Sequence, residues 1–280
     1  MSSNSADTST PSDEELRKLL KPNPSNDDIL QLVPAFFPDA TQVKIFKELE
    51  SYDDRNYWIK VDNGVDYLVK VHNGVESKDA KKAMDGGKQD SVIHFQYALM
   101  KALLADKDMN DSGISASCPI FAPGKNEALM IQSLPVVSAS HSPADLVVSV
   151  YQWVPGIPMA NLNVLPVECL ADAGRLLGKV KQQWELYLQL EDLPAAQRYH
   201  QWDGKNTSDL RSWVKYIQSE ERRAMIESII TAFETELIKS GVAETLRKGM
   251  NHGDFNDANI LMDDSFKVTG VIDFGDAVER

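Results

Sequence analysis

The chain has 280 residues, with 42 acidic against 29 basic side chains and a formal net charge of −13. This length suits one large domain or two lobes that share a cleft, and 42% hydrophobic with 25% charged residues is ordinary for a soluble globular protein. No apolar run approaches the ~18 to 20 residues of a membrane span. The acidic balance argues against nucleic acid or an anionic membrane surface as a partner.

Residues 1–26 are rich in Ser, Asp, Asn, Pro and Thr, and they predict a disordered N-terminal arm with a helical turn at 14–20. The first residues contain neither the apolar run of a secretory signal nor the basic character of a mitochondrial presequence. Cys118 and Cys169 are too few for a disulfide framework. We therefore expect a cytoplasmic protein with reduced thiols.

The first ordered stretch reads as a short helix followed by strands. Asn26 is a plausible N-cap for a helix through Ala35. Asn63-Gly64 predicts a two-residue hairpin turn, because both turn positions need a positive φ. Alternation of apolar and polar residues predicts antiparallel strands at 41–49, 57–61 and 65–71.

The rest of the chain changes from strands to helices after a turn-rich connector at 154–158. Before it, the pattern predicts a helix over 89–105 and strands at 128–133 and 146–153. Beyond it, we expect helices over 167–190, 207–218 and 222–240, then strands at 259–262 and 267–274 around a turn at 263–265. The predicted layout is a small β-rich lobe, a hinge near 152–157, and a larger helical lobe with a hairpin in the cleft.

The residues that indicate chemistry lie near the end of the chain. Residues 252–259 read His-Gly-Asp-Phe-Asn-Asp-Ala-Asn, and 271–276 read Val-Ile-Asp-Phe-Gly-Asp. Phosphoryl transfer needs a base for the acceptor hydroxyl and divalent cations on the phosphate oxygens. Asp254 suits the base, and Asn259 and Asp273 offer oxygens to one Mg²⁺ across a short hairpin. A polar loop that satisfies its own backbone is the alternative, but the joint spacing favours the catalytic interpretation.

This pattern resembles the aminoglycoside phosphotransferase and choline kinase superfamily, whose signature is His-Gly-Asp-x-x-x-x-Asn followed by Ile-Asp-Phe-Gly. The resemblance implies an α+β, protein-kinase-like two-lobed fold with an antiparallel β-rich N-lobe and a mainly helical C-lobe. It divides the chain into an arm at 1–26, a nucleotide-binding N-lobe at 27–153 and a C-lobe at 154–280. It also implies Mg²⁺ as cofactor, and ATP or GTP as phosphoryl donor.

The same resemblance assigns roles to residues of the N-lobe. Tyr-Leu-Val-Lys-Val at 67–71 is similar to the third strand, whose lysine, here Lys70, pairs with the α and β phosphates. Residues 51–57, Ser-Tyr-Asp-Asp-Arg-Asn-Tyr, replace the glycine-rich phosphate loop and contain no glycine. The nucleotide-binding residues so implied are Lys70, Ser51, Tyr52 and Asn56, with Tyr151 and Trp153 at the hinge. For Tyr151 and Trp153, core packing is an equal alternative.

Within the superfamily the chain is similar to the hydroxylysine kinases over about residues 30 to 280. The similarity includes the turn at 51–56, Arg-Tyr-His-Gln-Trp-Asp at 198–203, Asp257 and Asp276. It implies phosphorylation of the hydroxyl of 5-hydroxy-L-lysine, with GTP as favoured donor in the animal enzymes. Asp203 is a candidate for binding substrate ammonium groups, although a helix N-cap or a surface turn explains such a residue equally simply.

Two departures from the family pattern stand out. The helix after Lys70 usually carries a glutamate that pairs with it, but residues 90–96 contain none, and His94 falls near that position. Glu76 is the substitute that the sequence suggests. The chain also ends seven residues after Asp273, where the family continues with further helices. We therefore expect an incomplete helical lobe that lacks those C-terminal helices, with apolar faces left exposed and little activity alone.

Other functions remain open from sequence. The acceptor is instead choline, an aminoglycoside, homoserine or methylthioribose if the substrate pocket differs from that of the hydroxylysine kinases. A catalytically inactive, nucleotide-binding pseudokinase is favoured by the missing helix glutamate and the early end of the chain. The joint presence of Lys70, Asp254, Asn259 and Asp273 opposes it, because a binding module needs no base.

Overall fold

The computed structural model describes residues 13–62, 64–105, 114–122, 128–138, 143–187, 190 and 192–280. The chain forms two compact units. The first contains the described residues of Met1–Lys101 and Ser115–Pro155, and the second those of Ala102–Ile114 and Gly156–Arg280. The chain leaves the first unit for the last time after Pro155, inside the turn-rich connector.

An antiparallel sheet dominates the first unit. Its described strands are β1 (Val43–Leu49), β2 (Arg55–Val61), β3 (Asp66–Val71), β5 (Pro119–Ile120), β6 (Met130–Leu134) and β7 (Ala144–Gln152). The unit also contains β4 (Ser115–Ala116), which is not a strand of this sheet. Among these, the order β1-β2-β3-β7-β5 runs across the sheet, and β6 pairs with β7. The predicted meander of the first three strands is thus present. Asn63 lies outside the described residues, whereas Gly64 has the left-handed φ of 79° that the predicted turn requires.

The two faces of this sheet differ in chemistry. Alternate residues such as Tyr57, Ile59 and Val69 are buried in a cluster that includes Ile29 and Val33. The opposite face carries Lys70, which is directly across from Asn56 in the register of β2 and β3. Period-two alternation therefore separates an apolar core face from a face with polar functional groups.

Four helices complete the described part of the first unit: α1 (Asp13–Leu19), α2 (Asn26–Leu32), α3 (Gly74–Asp85) and α4 (Val92–Leu104). The cap of α2 is Ser25, in a capping box with Asp28, and not Asn26 as predicted. Helix α3 was not predicted. Its buried face consists of small residues such as Ser77, Ala80 and Ala83, so it lacks the large apolar residues that reveal a helix in sequence.

The helical turn predicted at 14–20 is present as α1, but the disorder predicted for the rest of the arm is not found in residues 13–26. Residues 1–12 lie outside the described residues. The polar composition of this segment predicts little burial, and helix α1 indeed has no buried residue. Little burial does not by itself mean disorder. Backbone contacts with the rest of the unit contribute to the order of the segment. Gly74 N donates to Leu20 O at 3.1 Å, and Pro22 forms an antiparallel bridge with Val136.

The second unit is mainly helical and contains short strands. Its described α-helices and strands are α5 (Val167–Leu186), α6 (Glu220–Phe233), α7 (Val242–Thr245), β8 (Ile157–Pro158), β9 (Met250–Asn251), β10 (Ile260–Met262), β11 (Val268–Val271) and β12 (Val278–Glu279). The predicted helix at 207–218 is instead a kinked 3-10 segment, Gly204–Tyr216. The predicted helix at 222–240 is α6 followed by a π-helical stretch, Glu234–Lys239.

Packing inside the second unit holds two loops together. Trp184 of α5 contacts Phe274 edge-on, with ring centroids 5.9 Å apart, and stacks near His252. Strands β9 and β12 pair through Val278 and Asn251. This arrangement places the residues after β9 beside the residues after β11.

Several large apolar side chains of the second unit are more than half exposed. They include Val167, Leu170, Leu186, Trp202, Trp213, Tyr216, Met225 and Ile229. Among the described helices, none combines the length and the apolar character needed to cross a membrane.

Candidate active site

The loop after β9 is built around a glycine that no other residue can replace without movement. Gly253 has a φ of 79°, which L side chains rarely adopt. A Cβ added there would lie 2.2 Å from the backbone oxygen of Asp276. The close approach brings the 252–259 loop against the segment that follows β11.

Asp254 is held by two amide side chains from the same loop. Asn256 Nδ2 donates to Oδ1 of Asp254 at 2.7 Å, and Asn259 Nδ2 donates to Oδ2 at 2.9 Å. Asn259 Nδ2 also lies 2.9 Å from the backbone oxygen of Asp254. These bonds fix the carboxylate, and each of its oxygens retains a lone pair for a further donor.

The two predicted metal ligands lie at the same end of the β10–β11 hairpin. Ile260 pairs with Val271, and Ile272 N donates to the backbone oxygen of Asn259 at 3.0 Å, so Asp273 follows directly. Asp273 is exposed, with a φ of 61°. For a residue with a side chain this conformation costs about 1–3 kcal/mol and often marks a functional position.

The donor atoms at this hairpin suit a cation with few protein ligands. Because Asn259 directs its Nδ2 at Asp254, its Oδ1 is the amide atom left to bind a metal, and Asp273 adds a carboxylate. Within the described residues, no three His, Cys, Asp or Glu side chains form a metal-binding cluster. A site with one amide and one carboxylate fits Mg²⁺, which takes its remaining oxygens from water and phosphate.

His252 supports this loop from inside the core. It is buried, and its Nε2 lies 3.1 Å from the carbonyl oxygen of Ile272. Burial lowers its pKa, against the opposing influence of Asp273. A neutral imidazole that donates from Nε2 therefore joins the 252–259 loop to the end of β11.

Residues 198–203 hold the segment after Asp273 from its other side. Arg198 donates from Nη2 to Gly275 O at 2.7 Å and from Nη1 to Ala277 O at 2.6 Å. His200 Nε2 lies 3.0 Å from Oδ1 of Asp276, and this contact lowers the pKa of the carboxyl. Sequence reasoning noted this stretch as a family motif but did not identify its supporting role, which a short motif alone does not reveal.

Asp203 makes contacts within the protein that support the local structure. Its side chain caps the 204–216 segment by accepting from Lys205 N at 3.1 Å, and it forms an ion pair with Arg280. It is almost fully buried. The structure therefore favours the helix-cap alternative over binding of a substrate ammonium group.

In the first unit, Lys70 pairs with an acid that the sequence did not suggest. Its Nζ lies 2.8 Å from Oδ2 of Asp54, which belongs to the loop between β1 and β2. Glu76, the suggested substitute, forms an ion pair with Arg17 instead. The proposed Lys70–Glu76 pair is therefore wrong, and the signal that was available was the Asp53-Asp54 pair in the loop.

The polar face around Lys70 contains groups suited to a nucleotide. Asn56 Oδ1 and Trp58 Nε1 are buried and have no hydrogen-bond partner among the described residues. Asn56 is across from Lys70 on the neighbouring strand. Trp58 lies two residues further along β2, on the same face of the sheet. A buried acceptor and a buried donor without partners on the face that carries Lys70 fit a polar ligand, because buried polar groups are normally paired.

The other predicted nucleotide-binding residues have different surroundings. Ser51 offers its backbone oxygen to Lys21 at 3.0 Å, and the Tyr52 hydroxyl donates to Glu14 at 2.6 Å. Tyr151 is buried with Tyr97 edge-on, and Trp153 stacks on Trp58 with centroids 4.4 Å apart. For Tyr151 and Trp153 these contacts are those of the core-packing alternative.

Comparisons with known proteins agree with the sequence resemblance. The pattern of the phosphotransferase enzyme family matches residues 45–279. Hydroxylysine kinase of Xenopus laevis is 28% identical over 272 residues, which cover 91% of this chain and 66% of that protein. Hydroxylysine kinase of Bos taurus is 24% identical over 278 residues, covering 94% and 67% respectively. The chain spans about two thirds of the length of these curated relatives.

A solved structure shows the same fold. The amicoumacin kinase hAmiN, in complex with AMP-PNP, Ca²⁺ and Ami, superposes with a TM-score of 0.54 at 15% identity, over 91% of this chain and 65% of that chain. At this identity the likeness concerns the fold, and it confirms the predicted two-lobed, protein-kinase-like α+β class. Since the family pattern covers most of its length, the chain belongs to the phosphotransferase enzyme family.

Proposed function

We propose that the protein is a small-molecule kinase that transfers the γ-phosphate of GTP or ATP to a substrate hydroxyl, with 5-hydroxy-L-lysine as the acceptor. The observation that carries this proposal is the fixed Asp254 carboxylate beside the hairpin end that bears Asn259 and Asp273. The choice of acceptor is supported by the curated relatives, which are named hydroxylysine kinase.

Asp254 acts as the general base. The amide donors Asn256 and Asn259 fix the orientation of its carboxylate. The acceptor hydroxyl donates to a remaining lone pair and gives up its proton to Asp254 as its oxygen bonds to the γ-phosphorus. The bond from that phosphorus to the β–γ bridging oxygen breaks, and nucleoside diphosphate leaves. Orientation and proton removal are the main tasks of a protein group in such a transfer, because the phosphoryl group requires little covalent chemistry.

Asn259 and Asp273 would hold Mg²⁺, which when bound neutralises charge on the phosphate oxygens. Asn259 contributes to two tasks through one amide, because its Nδ2 orients the base while its Oδ1 is available to the cation. The positions of the base and of one metal ligand therefore depend on each other.

Lys70 would bind the α and β phosphates, and the unsatisfied Asn56 Oδ1 and Trp58 Nε1 would complete the polar contacts of the nucleotide. We assign Ser51 and Tyr52 to the loop over the phosphates and Tyr151 and Trp153 to the hinge beside the base.

The test is a two-step measurement on the full chain. Thermal unfolding is followed with ATP or GTP, with and without Mg²⁺, and we expect Mg²⁺-dependent stabilisation by at least one nucleotide. Release of nucleoside diphosphate is then measured with 5-hydroxy-L-lysine and with L-lysine, which differs only by the missing hydroxyl. We expect turnover with the first and none with the second.

The other outcomes distinguish the alternatives. Turnover only with choline, homoserine or an aminoglycoside would retain the kinase and replace the acceptor. Stabilisation by nucleotide without turnover on any acceptor would indicate a binding protein without catalysis. Absence of any nucleotide effect would contradict the proposal as a whole.

A further inference from the structure

Residues 13–24, here called the strap, bind the loop at 50–54 that connects β1 to β2. Arg17 Nη1 forms an ion pair with Asp53 at 2.7 Å. Lys21 Nζ donates to the backbone oxygens of Ser51 at 3.0 Å and Tyr52 at 2.6 Å. The strap therefore binds the loop through both side-chain and backbone groups, although it precedes the part of the chain that the family pattern matches.

Asn73, at the end of β3, connects the strap, the loop and α3. It is fully buried. Its Nδ2 donates to Arg17 O at 2.9 Å and to Asp53 O at 3.1 Å, while its Oδ1 caps α3 by accepting from Val75 N. Asn73 N donates to Oδ1 of Asp54 at 2.7 Å. One residue thus fixes both aspartates of the loop relative to the strand that carries the lysine.

Asp54 supplies the carboxylate that Lys70 lacks on the following helix. Residues 90–96 contain no glutamate, and Lys70 is paired at 2.8 Å with Asp54 instead. Burial raises the pKa of Asp54, but Lys70 and His72 outweigh it and hold the pKa below its usual value. The position of the lysine ammonium therefore depends on the position of the 50–54 loop.

A loop that carries two carboxylates requires fixed cations if phosphates are to approach it. Asp53 and Asp54 are adjacent, and each is paired with one cation, Arg17 and Lys70 respectively. Burial and the Asp54 charge raise the pKa of Asp53, against the opposing influence of Arg17. Without Arg17, the loop would present an uncompensated negative charge and would lose its anchor on the strap.

We propose that Arg17 is a positioning residue for the nucleotide: through Asp53 and Asn73 it fixes the 50–54 loop, and through Asp54 it fixes Lys70. The inference rests on the proposed function, since the lysine is taken to bind nucleotide phosphates. Arg17 also pairs with Glu76 of α3. A guanidinium can bridge two carboxylates with separate N–H groups, whereas a lysine ammonium matches this geometry poorly.

The test compares Arg17→Gln with Lys18→Gln. Lys18 lies on the same helix, is 71% exposed and pairs only with Glu14 among the ion pairs of the described residues. Both variants lose one positive charge, but only Arg17→Gln loses an ion pair with the 50–54 loop. Two quantities are measured on the full chain: the Kd for Mg²⁺–nucleotide, and hydrogen exchange of the 50–54 amides without nucleotide.

We expect Arg17→Gln to weaken nucleotide binding by about tenfold or more, as for loss of a partly buried charge pair, and to speed exchange in the loop. Lys18→Gln changes neither quantity. Adding Asp53→Asn to Arg17→Gln restores part of the affinity, because it removes the uncompensated carboxylate. Arg17→Lys, which keeps the charge and tests folding, gives an intermediate Kd.

The outcomes separate this inference from the proposed function. If the wild type binds nucleotide and Arg17→Gln matches Lys18→Gln in Kd and exchange, the strap has no positioning role and the kinase proposal stands. If the wild type does not bind nucleotide, both proposals fail, whatever the exchange data show. Faster exchange in the loop with an unchanged Kd would reduce Arg17 to a structural residue and overturn the inference.

Discussion

Replacing Gly253 by alanine tests whether the 252–259 loop and the segment after β11 form one unit. The new Cβ would lie 2.2 Å from Asp276 O and 2.7 Å from its carbonyl carbon, closer than any tolerated contact. The φ of 79° costs an alanine about 1–2 kcal/mol, and relief of the clash adds about 1–3 kcal/mol. We expect a loss of about 2–5 kcal/mol in the free energy of unfolding.

Catalysis should decline beyond this loss of stability, because the clash moves Asp254 away from Asp273. The assay combines urea unfolding with turnover per folded molecule. Gly249→Ala is the matched control, since its added Cβ would meet its nearest atom at 3.5 Å, an ordinary contact. If Gly253→Ala and Gly249→Ala showed the same unfolding midpoint and the same turnover, the described contact between the two segments would be wrong.

Three further predictions follow from the same geometry. Asp273→Ala and Lys70→Ala are expected to weaken productive Mg²⁺–nucleotide binding, and Asp273→Ala is expected to be the more severe. If both variants showed the Mg²⁺ dependence of the wild type at fixed nucleotide, the assignment of these residues would be wrong. Burial lowers the pKa of His72 to about 3, so between that value and about 6.5 the unfolded chain binds a proton that the folded chain does not. The free energy of unfolding then falls by about 2 kcal/mol from pH 7 to pH 5. Urea unfolding of His72→Gln at several pH values is expected to lack this part of the pH dependence. The same pH dependence in His72→Gln and wild type would refute the prediction. Arg198→Ala removes two hydrogen bonds to carbonyl oxygens beyond Asp273 and is expected to raise the Mg²⁺ concentration needed for half-maximal turnover. Replacing the exposed Arg175 by alanine is the control and leaves that concentration unchanged. Equal concentrations for the two variants would show that Arg198 does not support the metal ligand.

The fold was predictable where one periodicity dominated. Strand β2 and the end of β3 alternate buried and half-buried residues, and α4 places apolar residues at helical spacing. Helix α3 was not predicted, because its buried face is made of small side chains. The strap was not predicted to be ordered, because its helix α1 buries no residue and hydrogen bonds to other segments fix it.

The candidate site could be recognised from sequence because its residues lie close together along the chain. Asp254, Asn259 and Asp273 belong to two short motifs joined by a hairpin. The partner of Lys70 was not predictable, because the ion pair with Asp54 depends on the path of the 50–54 loop relative to β3. A charged residue indicates a need for a partner, but only the folded chain shows which partner meets it.

Asp254→Asn tests whether Asp254 is the base of a phosphoryl transfer. Turnover with the preferred nucleotide and 5-hydroxy-L-lysine is measured together with the Kd for Mg²⁺–nucleotide, with Asp264→Asn in the exposed hairpin turn as control. Loss of a general base costs about 10²–10⁴ in rate, so we expect turnover of Asp254→Asn to fall by that factor while the Kd stays within a few-fold of wild type. Wild-type turnover in Asp254→Asn would remove this residue from the mechanism and contradict its role in the proposed function.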